Sequence, residues 1–192
     1  MSDRAKRDTK QRMLDSAVLL LRERGAAGVT VDAVLAHSGA PRGSVYHHFP
    51  GGRSEMVLGA VRQAGDHIAA VVSESAAEGD VALMVQRLVA FWKRALTKTG
   101  FRAGCPVAAM ALDGRDLVPE AGDVVREIFA RWHDSIAEAL RDNGFDAPRA
   151  ERLATVVVSV IEGAIILCRA RRDLAPLDDV LVEIAPLLQR RD

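Results

Sequence analysis

The chain has 192 residues, of which 49% are hydrophobic, so it is long enough to bury a sizeable core in one large or two small domains. Its 26 basic and 26 acidic side chains cancel, which argues against a protein coated in positive charge for non-specific nucleic-acid binding. Two cysteines exclude a disulfide framework, and Met1 to Arg12 is too charged for a signal peptide. The most apolar run, Leu153 to Cys168, is shorter than a membrane span. We therefore expect a cytoplasmic protein without a membrane partner.

The N-terminal region is charged and precedes an amphipathic helix. Ser2 to Arg12 contains no hydrophobic residue beyond Ala5 and is expected to be a mobile arm. Such an arm is either a solvated terminus or a segment that orders on phosphates or in a minor groove. From about Thr9 to Arg24, apolar residues recur at steps of three and four, which predicts a helix that Gly25 ends.

The next stretch, Thr30 to Arg53, predicts two short helices joined by a tight turn. Thr30 suits the N-cap of the first helix, which Ser38-Gly39-Ala40 would end after about two turns. Pro41 suits the first position of a second helix, Arg42 to His48, which a proline and two glycines then end. Two short helices joined by a Gly-containing turn are typical of a helix-turn-helix, although ordinary pairs of surface helices share this spacing.

The second short helix would present hydrogen-bond donors outward, because Val45 and Phe49 lie four residues apart and can pack inward. Arg42 and Ser44 suit base edges, and Gly43 would let the backbone approach DNA. The other candidate DNA-binding residues have the reach for phosphate oxygens and are Tyr46, His47, Thr30 and Arg53.

The rest of the chain continues the helical periodicity, without strand alternation or internal repeats. The fold class expected is therefore all-α, with about nine helices. The later helices are expected, in chain order, at Ser54 to Glu74, Val81 to Gly100, Cys105 to Leu112, Pro119 to Leu140, Pro148 to Arg172, and from Pro176 onward. Pro186 should kink or interrupt the last helix, and Asp113 to Asp116 would form a turn.

The segment GAPRGSVYHHFPGGRSEMV, centred on Tyr46, resembles the signature of the TetR family of one-component transcriptional repressors. Further along, GCPVAAMALDG, the triplet Ala130-Arg131-Trp132 and IEGAIILCRARRD resemble the LmrA/YxaF-type subgroup, so the likeness spans nearly the whole chain. The chain departs from the family pattern at two positions. Pro41 stands where many members have Ser or Thr, and Leu35 stands where they have Ala.

The resemblance implies a helix-turn-helix DNA-binding domain at residues 1–53 and a ligand-binding and dimerisation domain at residues 54–192. It implies a repressor that binds double-stranded, palindromic operator DNA as a homodimer and is released by a small, largely apolar or aromatic effector. The last two helices carry more apolar surface than one subunit can cover, so we expect them to form the dimer interface, with Leu181 and Ile184 in it.

Aromatic residues concentrate between Phe91 and Trp132, within the implied ligand-binding domain. They suit a flat apolar ligand, and a histidine and a carboxylate could orient it. Glu162 is unusual within an apolar helix, where an ion pair with a residue such as Arg131 is the alternative to ligand recognition. The candidate ligand-binding residues are Phe91, Trp92, Phe101, Met110, Phe129, Trp132, His133 and Glu162.

An enzyme is the alternative from a different class. Cys105, at a helix N-terminus, would be its best nucleophile, although a small buried thiol is the simpler interpretation and oxidation sensing lies between the two. The chain lacks a nucleophile elbow, a phosphate-binding Gly-rich loop and a spaced carboxylate pair. His47 and His48 are adjacent, which is poor geometry for paired metal ligands. We expect no enzyme, no metal and no cofactor.

Overall fold

The structure, a computed structural model, describes residues 3–76 and 79–189, except for the side chains of residues 3–6 and 115. Over these residues the chain forms nine α-helices, two short 3-10 helices and no β-strand, which confirms the all-α prediction. The helices are α1 (Asp3–Arg24), α2 (Val31–Ser38), α3 (Ser44–His48), α4 (Gly52–Ala76), α5 (Val81–Lys98), α6 (Pro106–Leu117), α7 (Ala121–Asp142), α8 (Ala147–Arg171) and α9 (Ala175–Ile184). The 3-10 helices are Ala26–Gly28 and Ala185–Leu188.

Several helices begin where a side chain satisfies otherwise unpaired backbone N–H groups. Thr30 caps α2 by accepting a hydrogen bond from Ala33 N, and Asp80 caps α5 by accepting from Ala82 N and Leu83 N. The last helix loses its α-helical form at Ala185, and the 3-10 helix that follows contains Pro186. The capping role of Thr30 and the interruption at Pro186 are as predicted.

Two expectations about the local structure are wrong. The expected arm is helical from Asp3 onward, and Ser2 lies outside the described residues. This segment is rich in Lys, Arg and Gln, which favour helix. The expected turn at Asp113 to Asp116 is part of α6, and the Gly114 carbonyl accepts from Val118 N at 2.8 Å.

Gly114 is accommodated in α6 by a close side-chain contact. A Cβ atom at this position would lie 2.3 Å from the Cε of Met110, so the methionine packs directly over the glycine. Asp113, one residue earlier, lies beside Gly25, where an added Cβ would be 3.4 Å from the Asp113 carboxylate. Packing in this part of the fold therefore favours a helix where the local sequence suggests a turn.

The helices form two compact units that do not divide at residue 53. The first contains Met1–Gly65 and Cys105–Arg126, and the second contains Asp66–Gly104 and Glu127–Asp192. Helices α4 and α7 each contribute residues to both. We refer to these as the first and second units.

In the first unit, α1 packs against α2, the 3-10 helix Ala26–Gly28 and α6. In the second unit, α5, α8 and α9 pack against one another, and the 3-10 helix Ala185–Leu188 packs against α5 and α9. Each unit has its own apolar core. Fully buried side chains of the first include Met13, Leu21, Phe49, Met56 and Met110, and those of the second include Met84, Leu96, Ile136, Ile165 and Leu177.

Candidate DNA interface and effector cavity

The turn between α2 and α3 is built from local hydrogen bonds. Gly39 ends α2 in the left-handed conformation, with φ of 65°, and its N–H donates to Leu35 O at 3.0 Å. Ser44 N then donates to Pro41 O at 2.9 Å, and the Ser44 hydroxyl donates to the same carbonyl at 2.6 Å. Helix α3 therefore begins at Ser44, because residues 41–43 form the turn. The prediction that Pro41 takes the first position of this helix is wrong.

Helix α3 has a buried apolar face and an exposed polar face. Val45 and Phe49 are fully buried, as their spacing predicts, whereas Tyr46 is 68% exposed and His47 is also exposed. The ammonium group of Lys10 on α1 lies 5.3 Å from the centre of the Phe49 ring, on which it makes a cation–π contact. The five-residue helix is thus held by its apolar face, and its polar face is open to solvent.

Arg42 lies in the turn before α3 and forms an ion pair with Asp32 in the first turn of α2. Its Nη2 is 3.0 Å from Asp32 Oδ1, and the two side chains are 86% and 78% exposed. An ion pair this exposed contributes little stability, so the guanidinium can exchange the carboxylate for another acceptor. Gly43 has φ of −74°, and a Cβ atom added to it would meet nothing within 4 Å. A bare backbone therefore faces open space beside Arg42.

Arg53 differs from the other candidate DNA-binding residues because its side chain is directed into the protein. Its Nε donates to Val29 O at 2.7 Å and its Nη2 donates to Ala26 O at 2.8 Å. The guanidinium thereby ties the start of α4 to the segment that precedes α2. Thr30 is exposed, and its hydroxyl oxygen accepts from Ala33 N at 3.1 Å, so the O–H can still donate to a phosphate.

The second unit contains a small cavity bordered by four helices. Its volume is about 20 Å³, which is room for about one water molecule. Both tryptophans border it and are almost fully buried, at 2% and 3% exposure for Trp92 and Trp132. The lining residues are Ile68 and Val72 of α4, Leu88 and Trp92 of α5, Trp132 and Ile136 of α7, and Val158, Ile161 and Glu162 of α8.

Three of the eight candidate ligand-binding residues line this cavity, namely Trp92, Trp132 and Glu162. Two others contact the tryptophans edge to face. The Phe91 ring centre lies 5.2 Å from that of Trp92, and the Phe129 ring centre lies 5.2 Å from that of Trp132. The aromatic concentration in the sequence therefore corresponds to two edge-to-face pairs, of which only the tryptophans reach the cavity lining.

The remaining three candidates lie elsewhere. Met110 belongs to the core of the first unit. Phe101 lies in the loop after α5 and is not among the lining residues. His133 Nε2 lies 3.0 Å from Glu151 O and 3.2 Å from Thr155 Oγ1, which keeps the ring on the first half of α8. Arg131, expected to pair with Glu162, contacts Asp66 at 2.8 Å.

Sequence reasoning did not identify the six aliphatic lining residues as site residues, because each is also an ordinary member of an apolar helical stripe. They can be recognised as cavity-lining residues only from their positions relative to one another in the fold. Asp32 was missed for a different reason, since it precedes its partner Arg42 by ten residues and no periodicity links them. Lys10 was missed because the segment that carries it was expected to be an arm.

Both cysteines are buried. The sulfur of Cys105 accepts from Ala108 N at 3.5 Å and so caps α6, and burial raises the pKa of the Cys168 thiol. Close to Cys105, burial lowers the pKa of the Arg22 guanidinium, while Cys105 and Glu23 act to raise it. Among the residues that the structure describes, no cluster of His, Cys, Asp or Glu could hold a metal ion.

Two family models match the chain. Residues 13–58 match the bacterial regulatory proteins of the tetR family, and residues 81–182 match the C-terminal domain of LmrA/YxaF-like transcriptional regulators. An uncharacterized HTH-type transcriptional regulator of Mycobacterium tuberculosis, Rv0196, is 45% identical over 184 residues, which cover 93% of each chain.

The chain belongs to the TetR family of transcriptional regulators.

More distant members of the TetR family agree along the whole length. The HTH-type transcriptional regulator LmrA of Bacillus subtilis is 28% identical, with coverage of 95% of this chain and 98% of LmrA. A crystal structure of a TetR transcriptional regulator from Legionella pneumophila superposes with a TM-score of 0.83 at 21% identity, covering 94% of this chain and 97% of that one. Members of this family are transcriptional regulators and not enzymes, so the alternative with Cys105 as a nucleophile is set aside.

Family membership also bears on helix α8. By length and composition alone this helix could cross a membrane, but core helices of soluble proteins pass the same test. In this chain α8 packs against α5 and α9, and Glu162 lies within it. These features, together with the family assignment, agree with a soluble DNA-binding regulator.

Proposed function

We propose that this TetR-family regulator is a cytoplasmic repressor, which binds an inverted-repeat operator as a homodimer and leaves the DNA when a small, largely apolar or aromatic effector binds its second unit. The observation that carries the proposal is the α2–turn–α3 segment. Its buried face fixes α3, while Tyr46, His47 and Arg42 are exposed beside a bare glycine backbone. Donors on a short exposed helix suit a DNA groove and its flanking phosphates.

The roles of individual residues follow from their surroundings. Arg42 would read a base edge after leaving Asp32, and Tyr46 and His47 would contact phosphates. Ser44 donates its proton to Pro41 O, so its oxygen would serve as an acceptor toward a base. The proposed role of Arg53 is to hold the domain together, since its guanidinium is bound by two carbonyl groups.

The proposed dimer interface is the exposed apolar surface of the last helices. Ile166 and Leu167 on α8 are 55% and 46% exposed, and Val182 on α9 is 68% exposed. Large apolar side chains exposed on helices that pack together are typical of a protein–protein interface. Ile184 was expected in this interface but is only 3% exposed within the subunit, so it belongs to the subunit core. A two-fold dimer would place two α3 helices on two half-sites of an inverted repeat.

The proposed effector response depends on widening the cavity. At about 20 Å³ it is too small for a drug-sized ligand, so an effector would select a conformation in which the lining side chains move apart. Ile68 and Val72 are lining residues on α4, the helix that directly follows α3 in the chain. Displacing them would move α4 and, through the chain connection, α3. Effector and operator would then oppose each other by a coupling of about 1–3 kcal/mol.

The proposal is tested by selection from a library of random DNA duplexes, followed by a footprint on the enriched sequence. We expect an inverted repeat, bound by a species with the mass of two subunits and one duplex. The matched control is the double variant Arg42→Ala/Tyr46→Ala, whose two side chains are exposed, and we expect it to fold but to enrich nothing. Absence of any enriched sequence with the wild-type protein would contradict the proposal.

A further inference from the structure

The turn between α2 and α3 exposes an apolar residue next to the candidate DNA-binding residues. Ala40 is buried, whereas Pro41, Arg42 and Gly43 are all exposed. The chain therefore leaves the core of the first unit at Pro41. In a helix-turn-helix, the residues at the start of the second helix are the ones that reach base edges in the major groove. In the proposed complex with DNA, Pro41 would enter the groove beside Arg42.

The polar groups of Pro41 are either missing or already bonded within the turn. Proline has no backbone N–H. Its carbonyl oxygen accepts two hydrogen bonds, from Ser44 N at 2.9 Å and from the Ser44 hydroxyl at 2.6 Å. A carbonyl oxygen has two lone pairs, so both are taken. Pro41 therefore presents only its hydrocarbon ring to a ligand.

The major groove offers one apolar group that suits such a ring. Thymine carries a methyl group on its major-groove edge, whereas the other bases present hydrogen-bond donors and acceptors there. Against a donor or an acceptor, the ring would displace water without replacing its hydrogen bond, which is costly. Against the methyl group, the ring would bury two apolar surfaces together, which is favourable. The ring of Pro41 is thus more complementary to thymine than to any other base.

We propose that Pro41 is a specificity-determining residue, whose ring contacts the C5-methyl group of a thymine in each half-site of the operator. The inference rests on the proposed function for the existence of an operator, and it adds a base that Arg42 does not read. Neighbouring Cα atoms lie about 3.8 Å apart, and successive base pairs lie about 3.4 Å apart. The thymine therefore lies within about two base pairs of the position at which Arg42→Ala relaxes the base preference.

A second role for Pro41 would be to stiffen the turn, because its ring fixes φ and restricts the unfolded chain. Both roles predict weaker DNA binding when the proline is replaced. Only the methyl contact makes the loss depend on the base. The test therefore compares thymine with uracil, which differs from thymine by the absence of the C5-methyl group.

The test uses the duplex that the wild-type protein enriches from the random library. Each thymine is replaced in turn by deoxyuridine, at equivalent positions of the two half-sites, and gel-shift titration gives the affinity. For the wild-type protein we expect a position, close to the base read by Arg42, at which uracil weakens binding. The loss should be about fourfold per half-site, or about fifteenfold for both, because one buried methyl group is removed from each.

Pro41→Ser keeps the carbonyl group that Ser44 uses and removes the ring. In this variant the preference for thymine over uracil at that position should disappear. Its affinity for the thymine duplex should fall to that of the wild-type protein for the uracil duplex. The matched control is Pro50→Ser, which changes an exposed proline that follows α3 and should keep the full preference. The uracil scan on wild-type protein decides the question even if Pro41→Ser fails to fold.

Two results would overturn the inference and leave the proposed function intact. The first is an enriched half-site in which no thymine near the position read by Arg42 is sensitive to uracil. The second is a folded Pro41→Ser protein that binds more weakly but keeps the wild-type ratio of thymine to uracil affinity, which would assign Pro41 to the stiffness of the turn. If the wild-type protein enriches no duplex, the proposed function fails and the inference fails with it.

Discussion

The DNA-binding segment and the effector cavity are built in opposite ways. The seven candidate DNA-binding residues lie between Thr30 and Arg53, and local bonds such as Ser44 N to Pro41 O set their positions. The nine cavity residues are spread from Ile68 to Glu162 and come from four helices. Only packing in three dimensions brings these helices together.

Because of this difference, we expect DNA binding and effector binding to depend to different extents on the rest of the molecule. Exposed side chains of the DNA-binding segment, such as Arg42 and Tyr46, can be altered one at a time without disturbing the fold, whereas Arg53 is held inside the protein. The cavity residues cannot be altered in this way, since Trp92 and Trp132 are part of the buried core of the second unit. Substitutions that separate local from distant contributions therefore test the comparison most directly.

The largest effect should come from a change far along the chain from α3. Replacing Leu167 and Val182 by glutamate places two charges on the exposed apolar surface of α8 and α9, so the variant should be monomeric. Losing the second half-site contact should weaken operator binding by at least about a hundredfold. Sedimentation gives the mass, and gel-shift titration gives the affinity.

The control for this variant is Glu183→Gln, another exposed position on α9, which should remain dimeric and bind normally. Full operator affinity in a monomeric Leu167→Glu/Val182→Glu protein would show that the helix-turn-helix binds DNA without dimerisation. DNA binding would then be independent of the second unit.

The next largest effect is expected for Arg53→Gln. Its guanidinium donates to two carbonyl groups, so its loss should lower the free energy of unfolding by about 1.5–3 kcal/mol. Urea denaturation measures this, with Arg62→Gln, an exposed position on the same helix, as the control. If stability is unchanged while binding to every duplex weakens, Arg53 is a phosphate contact as its position in the sequence suggested.

Structural features that depend on local interactions were predicted correctly from the sequence. The cap at Thr30, the helix end at Gly39 and the buried pair Val45 and Phe49 all follow from spacings of a few residues. The sequence misled where a distant contact is involved, as at Asp113 of α6, whose carboxylate lies beside Gly25. For α1 the expectation of an arm gave too much weight to charge and too little to helix propensity.

The proposed effector cavity shows the same limit more strongly. Aromatic composition pointed to Trp92 and Trp132, and both line the cavity. It could not separate them from Phe91 and Phe129, which contact the tryptophans edge to face without lining the cavity. Which member of an aromatic pair lines a cavity depends on side-chain rotamers, and periodicity carries no information about those.

A smaller effect, confined to DNA, is expected for Arg42→Ala. Losing a bidentate contact to a base should weaken operator binding by about 1–3 kcal/mol and relax the sequence preference at one position. Asp32→Ala should change the preference less, because it removes only the exposed partner that Arg42 has in the absence of DNA. Competition between operator and random duplexes measures both. Equal loss on the two kinds of duplex for Arg42→Ala would assign Arg42 to phosphate contact.

The smallest effect separates two roles of one hydroxyl group. Thr30 and Asp146 cap α2 and α8 in the same way, each accepting a backbone N–H three residues ahead, at 3.1 and 3.0 Å. Replacing either by alanine should lower the free energy of unfolding by about 1 kcal/mol. Only Thr30→Ala should also weaken binding to all duplexes alike, since its hydroxyl proton is the one proposed to contact a phosphate. Thr30→Ser keeps the hydroxyl and should restore both properties. If Thr30→Ala and Asp146→Ala reduce DNA binding equally, the loss comes from stability alone and Thr30 is only a cap.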